Sequence, residues 1–158
     1  MQTTDTVLMI EPAAFGFNAE TAQNNYFQIN SENAETQTKA LQEFNNFVEK
    51  LRSKGINVIT VKDTLEPHTP DSIFPNNWIS MHSDGTVVLY PMCAVNRRGE
   101  RRNDILEILQ RNFSVKEIID LSAPENDGKF LEGTGSMIFD HENKIAYGSV
   151  SLRLDEKL

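Results

Sequence analysis

The strongest constraint on this chain is a pattern that returns after 59 residues. That shift lays the apolar strand signal at Ile56 to Thr60 on Val115 to Ile119, and His82 on His141, so two hairpin turns coincide. It also lays the helical stretch 34–54 on 93–113. Residue identity between the copies is poor, so the pattern repeats and the sequence does not. The unit reads as hairpin, helix, strand, and 158 residues hold about 2.7 of them. The next helix is expected near residue 152, in Ser151-Leu152-Arg153-Leu154, so the periodicity predicts a truncated molecule. Units of this kind usually close into a ring, which two and a fraction cannot do.

Local signals place the elements. Thr6 to Ile10 is an apolar run closed by Glu11-Pro12 and reads as a buried strand. Phe15 to Gln28 is Asn-rich and aromatic and reads as a loop. Leu41, Phe44, Phe47, Val48 and Leu51 form one apolar stripe on a helix over 34–54, stopped by Gly55. Ile73 to Met81 and Thr86 to Tyr90 are expected strands around an Asp84-Gly85 turn. A second amphipathic helix follows over 101–113, then a strand at Val115 to Ile119 and a loop at Ser122 to Phe130. A last hairpin is expected from Ser136 to Tyr147.

Composition removes several function classes. The formal charge of −8 argues against a nucleic-acid partner, because phosphate binding needs a basic face. It leaves room for a small cationic ligand. A single cysteine, Cys93, excludes an internal disulfide and a multi-cysteine zinc site. The longest apolar run is far below the roughly 18 residues of a membrane span, and the start has no basic segment of a signal peptide. The expectation is a soluble cytoplasmic protein with no membrane partner, no cofactor and no metal, as a single chain or a homo-oligomer.

Few residues can carry chemistry. Asp71 and Glu132 each precede an expected strand and stand at similar points of successive units. Two carboxylates converging on one mouth would suit a guanidinium, which offers parallel N–H donors. The competing reading makes Asp71 a turn residue and Glu132 a solvated one beside glycines. Asn76 and Asn77 are expected inside a strand, where adjacent asparagines are unfavourable, so they either read a polar ligand or complete a structural network. Arg97, Arg98, Arg101 and Arg102 either bind an anion or form a solvated helix start paired with Glu100 and Asp104. Cys93 is a nucleophile or a small buried apolar residue. His82 and His141 sit in turns and read as solvated, and Gly133-Thr134-Gly135 lacks the rest of a phosphate loop.

Four segments in order resemble the guanidine-modifying enzyme superfamily of arginine deiminases, dimethylarginine hydrolases and amidinotransferases. They are Phe15 to Asn25, Pro70-Asp71-Ser72-Ile73-Phe74-Pro75-Asn76-Asn77-Trp78, Asn96 to Arg102, and Leu131-Glu132-Gly133-Thr134-Gly135-Ser136. The nearest likeness is to the arginine deiminase-related branch often labelled amidinotransferase, whose members hydrolyse citrulline. The resemblance implies a pentein-like α/β propeller of five ββαβ units. It makes residues 1–158 the N-terminal part of one catalytic domain. It implies attack of a cysteine thiolate on a guanidino or ureido carbon, with a histidine moving protons and two carboxylates holding substrate nitrogens.

By the same resemblance Asp71 and Glu132 are those carboxylates. Asn76 and Asn77 stand where dimethylarginine hydrolases carry an acidic pair, which disfavours methylated arginine. Arg101 or Arg102, and Arg153, match arginines that contact the substrate or line its approach. Glu11 stands where many relatives have an arginine. The family cysteine and histidine are expected beyond Leu158, and Cys93 matches neither. Three readings result: the N-terminal half of a guanidino- or ureido-group hydrolase, inactive alone; a non-catalytic binding module of the same fold; and a self-contained enzyme using Cys93 with His82.

Overall fold

The computed structural model of the protein describes residues 3–22, 25, 28, 30 and 35–158. Gln23, Asn24, Tyr26 and Phe27 of the expected loop, and the expected helix start at Ala34, lie outside them. The chain divides into two compact α/β units, Thr4–Pro75 and Asn76–Leu158.

In the first unit, strands β1 (Thr6–Glu11) and β2 (Asn57–Lys62) pair in parallel from Thr6↔Asn57 to Glu11↔Lys62. Parallel neighbours need a long crossover. Here it is supplied by a short helix, α1 (Ala19–Ala22), and a long one, α2 (Thr36–Ser53). Helix α2 stops because Gly55 takes a φ of +83°, which lets its N–H reach the Arg52 carbonyl at 3.0 Å. The apolar stripe is only partly buried. Val48 of the stripe is buried, as are Ile10, Val58 and Val61 of the two strands. Phe47 remains 53 % exposed, and with Phe44 and Phe74 it lines a groove of about 660 Å³ beside Leu8 and Met9.

The second unit opens with a hairpin, β3 (Ile79–Met81) and β4 (Thr86–Leu89), in register Ile79↔Leu89 to Met81↔Val87. Gly85 makes its turn with a φ of +95°, and a Cβ there would lie 2.6 Å from the Ser114 carbonyl oxygen. Helix α3 (Asn103–Asn112) carries the chain to β5 (Glu117–Asp120), which pairs in parallel with β4. It buries Ile105 and Leu109. Strand β5 starts two residues later than expected. A one-turn helix, α4 (Gly133–Ser136), leads into a second hairpin, β6 (Met137–Asp140) and β7 (Ile145–Gly148). Strand–helix–parallel strand therefore occurs in both units, and a hairpin precedes it in the second.

Two expectations are corrected. Pro75–Asn77 forms a 3-10 turn and not the middle of a strand, so β3 begins at Ile79. Proline fixes φ at about −65°, and asparagines pack poorly on a sheet. Residues 151–158 do not begin a helix. Leu154 instead bridges Ser151 and Leu131 and is buried with Leu131 and Tyr90. Burying one leucine outweighs a single isolated helical turn. Trp78 is 1 % exposed, and its indole N–H has no hydrogen-bond partner among the described residues. No helix among the described residues is long and apolar enough to cross a membrane.

Candidate functional site

The two sequence-singled acids are buried, one in each unit. Asp71 is 6 % exposed and lies in consecutive turns, with Ser72 N–H on the Thr69 carbonyl and Phe74 N–H on that of Asp71. It is therefore a turn residue, but its side chain points at donors from far earlier in the chain. Asn18 Nδ2 and Thr21 Oγ1 each donate to Oδ2 at 2.8 Å, and Gln28 Nε2 donates to Oδ1 at 3.3 Å. Helix α1 explains the placement. Asn18 accepts the Glu20 N–H on its Oδ1, as a capping residue does, leaving its amide nitrogen for Asp71. Sequence reading gave Asn18, Thr21 and Gln28 no role, although the run of amide side chains around them was visible.

Glu132 is 1 % exposed and directly precedes α4. The solvated reading of it is thereby corrected. Asn77 Nδ2 donates to Oε2 at 3.0 Å, the Cys93 backbone N–H to Oε1 at 3.1 Å, and Arg153 Nη1 to Oε2 at 3.4 Å. The neighbouring glycines are a packing requirement. A Cβ on Gly133 would stand 2.4 Å from the Asn76 carbonyl oxygen, and one on Gly135 would stand 2.2 Å from Asn77 Nδ2. The close approach lets the 3-10 turn at Pro75–Asn77 deliver its amide to the acid. Cys93, half-buried, thus meets this site through its main chain.

The arginine cluster is not a solvated face. Arg97 and Glu100 are buried and joined by two hydrogen bonds, Nε to Oε1 at 2.8 Å and Nη2 to Oε2 at 2.9 Å. Arg101 Nη2 donates to the Glu125 carboxylate and its Nη1 to the Tyr90 carbonyl. Arg102 pairs with Asp104, and the guanidinium holds that carboxyl below the usual range. Of the arginines expected at substrate, Arg153 meets a candidate acid, Glu132.

His141 is exposed, as expected, whereas His82 is half-buried. Their rings meet edge to face with centroids 5.6 Å apart, and both contact Phe139. His82 Nε2 meets Ser80 Oγ at 2.9 Å, and Ser80 Oγ meets the Tyr90 hydroxyl at 2.7 Å. Burial lowers the His82 pKa below 6.5, helped by His141 and opposed by Asp84. One ring nitrogen of His82, Nε2, is thus engaged by Ser80. Among the described residues no group of three or more histidine, cysteine or acidic side chains is placed to hold a metal.

A family model described as N,N dimethylarginine dimethylhydrolase, eukaryotic, matches residues 11–158. No curated protein matches the chain. A dimethylarginine hydrolase from Pseudomonas aeruginosa, solved as a cysteine-to-serine mutant with citrulline, superposes with a TM-score of 0.69 at 18 % identity. The superposition covers 96 % of this chain and 52 % of that one. The N-terminal domain of ArgZ, an arginine dihydrolase from Cyanobacteria solved with its substrate, gives a TM-score of 0.68 at 20 % identity over 96 % of this chain and 51 % of its own. The apo structure of ArgZ gives 0.67 at 20 % identity, over 96 % of this chain and 21 % of its own. The chain thus spans about half of the hydrolase and of the isolated domain, and shares their α/β fold. With the family model covering nearly every residue, the expected superfamily is met, and the chain belongs to the N,N-dimethylarginine dimethylhydrolase family.

Proposed function

We propose that this chain is the N-terminal, substrate-binding part of a hydrolase acting on guanidino or ureido groups, with citrulline or an arginine-like amino acid as substrate. The observation that carries this reading is Glu132, a carboxylate buried in the family-matched segment and fixed from both oxygens. Asp71, fixed at Oδ2 by Asn18 and Thr21 and at Oδ1 by Gln28, is the second acid. A carboxylate oxygen can accept two hydrogen bonds, so an oriented acid still offers lone pairs to substrate N–H groups. Asn76 and Asn77 belong to the substrate surroundings, as do Arg101, Arg102 and Arg153. In this reading the units are blades of an α/β propeller, about 2.7 of five, within one catalytic domain.

The chemistry follows from the resemblance. A thiolate attacks the central carbon, the amine leaves with a proton delivered by a histidine, and water activated by the same histidine releases the covalent intermediate. In this reading those two groups belong to sequence beyond Leu158, and the chain alone binds without turnover. A second substrate reading is N,N-dimethylarginine, which the description of the matching family favours. Asn76 and Asn77 in place of an acidic pair favour citrulline or arginine.

Calorimetry of the chain with citrulline, L-arginine and N,N-dimethylarginine tests the reading and ranks the substrates. Asp71→Ala and Glu132→Ala should each weaken binding of the cationic L-arginine by about 3–5 kcal/mol, as loss of one partner of a buried ion pair does, and of citrulline, whose ureido group is neutral, by about 1–3 kcal/mol. Unchanged affinity in both variants overturns the assignment of the acids. Turnover by purified chain that survives Cys93→Ala overturns its inactivity.

A further inference from the structure

Glu125 is a buried carboxylate to which no role has been given. It sits in the 3-10 turn Ala123–Asp127, where the sequence suggested only a loop. Its Oε2 accepts the Met92 N–H at 3.0 Å. Its Oε1 accepts from Arg101 Nη2 and lies 3.7 Å from Arg98 Nε. Its main-chain carbonyl accepts from Arg98 Nη2 at 3.4 Å.

These bonds bear on two consecutive peptide units, Glu125 holding the Met92 N–H of the first and its partner Arg98 holding the carbonyl of the second. Arg98 Nε donates to the Met92 carbonyl at 3.2 Å, and the Cys93 N–H in the same plane donates to Glu132 Oε1 at 3.1 Å. A peptide unit is planar and stiff, so tilting its carbonyl tilts its N–H. The preceding residues are held as well. Arg101 Nη1 donates to the Tyr90 carbonyl, and the Leu131 N–H, one residue before Glu132, donates to the Pro91 carbonyl at 3.2 Å. Met92 is fully buried, which leaves the segment no solvent into which to relax.

We propose that Glu125 is a positioning residue for the Glu132 carboxylate, acting with Arg98 through the Met92–Cys93 peptide. It fixes the direction of the Cys93 N–H and so the orientation in which Glu132 meets substrate nitrogen. The ligand part of this proposal rests on the functional reading above; the geometric part does not.

The test compares Glu125→Gln and Glu125→Asp in the intact chain. The glutamine keeps the shape and withdraws the charge from Arg98 and Arg101. The aspartate keeps the charge and shortens the reach to Met92, and it serves if the glutamine variant fails to fold. Amide hydrogen exchange at Cys93 and Leu131 should accelerate about tenfold, the size expected for losing one hydrogen bond to a charged group. The Glu132 carboxyl 13C resonance should move, while the β3–β4 amides keep their wild-type exchange. Affinity for whichever of citrulline, arginine or N,N-dimethylarginine the wild type binds should fall about tenfold in step. If Cys93 exchange and the Glu132 resonance hold in both variants, or if every amide of 76–158 accelerates equally, the positioning role is overturned. If the wild type binds none of the three compounds, the functional reading fails, and the exchange and 13C data still decide the role of Glu125.

Discussion

The described donors to the buried carboxylates differ between the two units, arginine joining the neutral donors in the second. In Thr4–Pro75, Asp71 is held by the amides of Asn18 and Gln28 and the hydroxyl of Thr21, and Asp63 by the hydroxyl of Thr69. In Asn76–Leu158, Glu100, Glu125 and Glu132 each face arginine: Arg97, Arg101 and Arg153. Amide and hydroxyl donors orient a carboxylate without cancelling its charge. A guanidinium orients it and cancels part of that charge as well. Removing a neutral donor therefore costs one hydrogen bond, whereas removing one partner of a buried ion pair strands a charge.

The largest expected effect is Glu100→Ala. Both partners of the Arg97–Glu100 pair are almost wholly buried, so the variant leaves Arg97 uncompensated and should lose about 3–5 kcal/mol. Trp78, the sole tryptophan and buried in the same unit, reports it by fluorescence during urea unfolding. Glu35→Ala, which breaks the exposed Lys39–Glu35 pair of the other unit, should leave the unfolding midpoint within error. Equal losses in the two variants would break the contrast between buried and surface charge. Next in size is Thr21→Val, which keeps the shape and removes one donor from Asp71. It should cost about 1–3 kcal/mol, read from hydrogen exchange of the β1–β2 amides. A cost as large as that of Glu100→Ala would show that neutral and charged donors are not distinguished here.

How much of this was legible in the sequence depends on how far each signal reaches. The repeats of three and four residues in α2 and α3, and the Asp84-Gly85 turn, are local, and the structure keeps them. The acids at Asp71 and Glu132 were legible through their segments. Asn77 was singled out too, but which acid it and Asn18 serve was not legible, because they reach those acids across 55 and 53 residues. The same long reach explains the 3-10 turn at Pro75–Asn77: the apolar spacing around it suggests a strand, and the demand for an amide at Glu132 comes from elsewhere in the chain. Glu125 was missed for a similar reason. A glutamate in a loop signals solvent unless the arginines that bury it are known. Leu154 shows the reverse error, a residue with helical spacing drawn into a bridge by Leu131 and Tyr90.

The smallest effect concerns charge that enters only on acidification. His82 is partly buried beside His141 and Phe139, and burial is the main reason its pKa lies below 6.5. The folded state therefore releases that proton more readily than the unfolded chain does. Its contribution to stability is complete above pH 6.5 and is lost as pH falls through the lower folded value. Asp84, at the same turn, raises the His82 pKa and limits the loss. Urea midpoints read from Trp78 should thus decline as pH is lowered from 6.5, and His82→Gln, which takes no proton, should flatten part of that decline. An identical slope in the variant would remove His82 as its source. A shallower slope would show that Asn76–Leu158, whose carboxylates face arginines, also meets acid through a histidine pair.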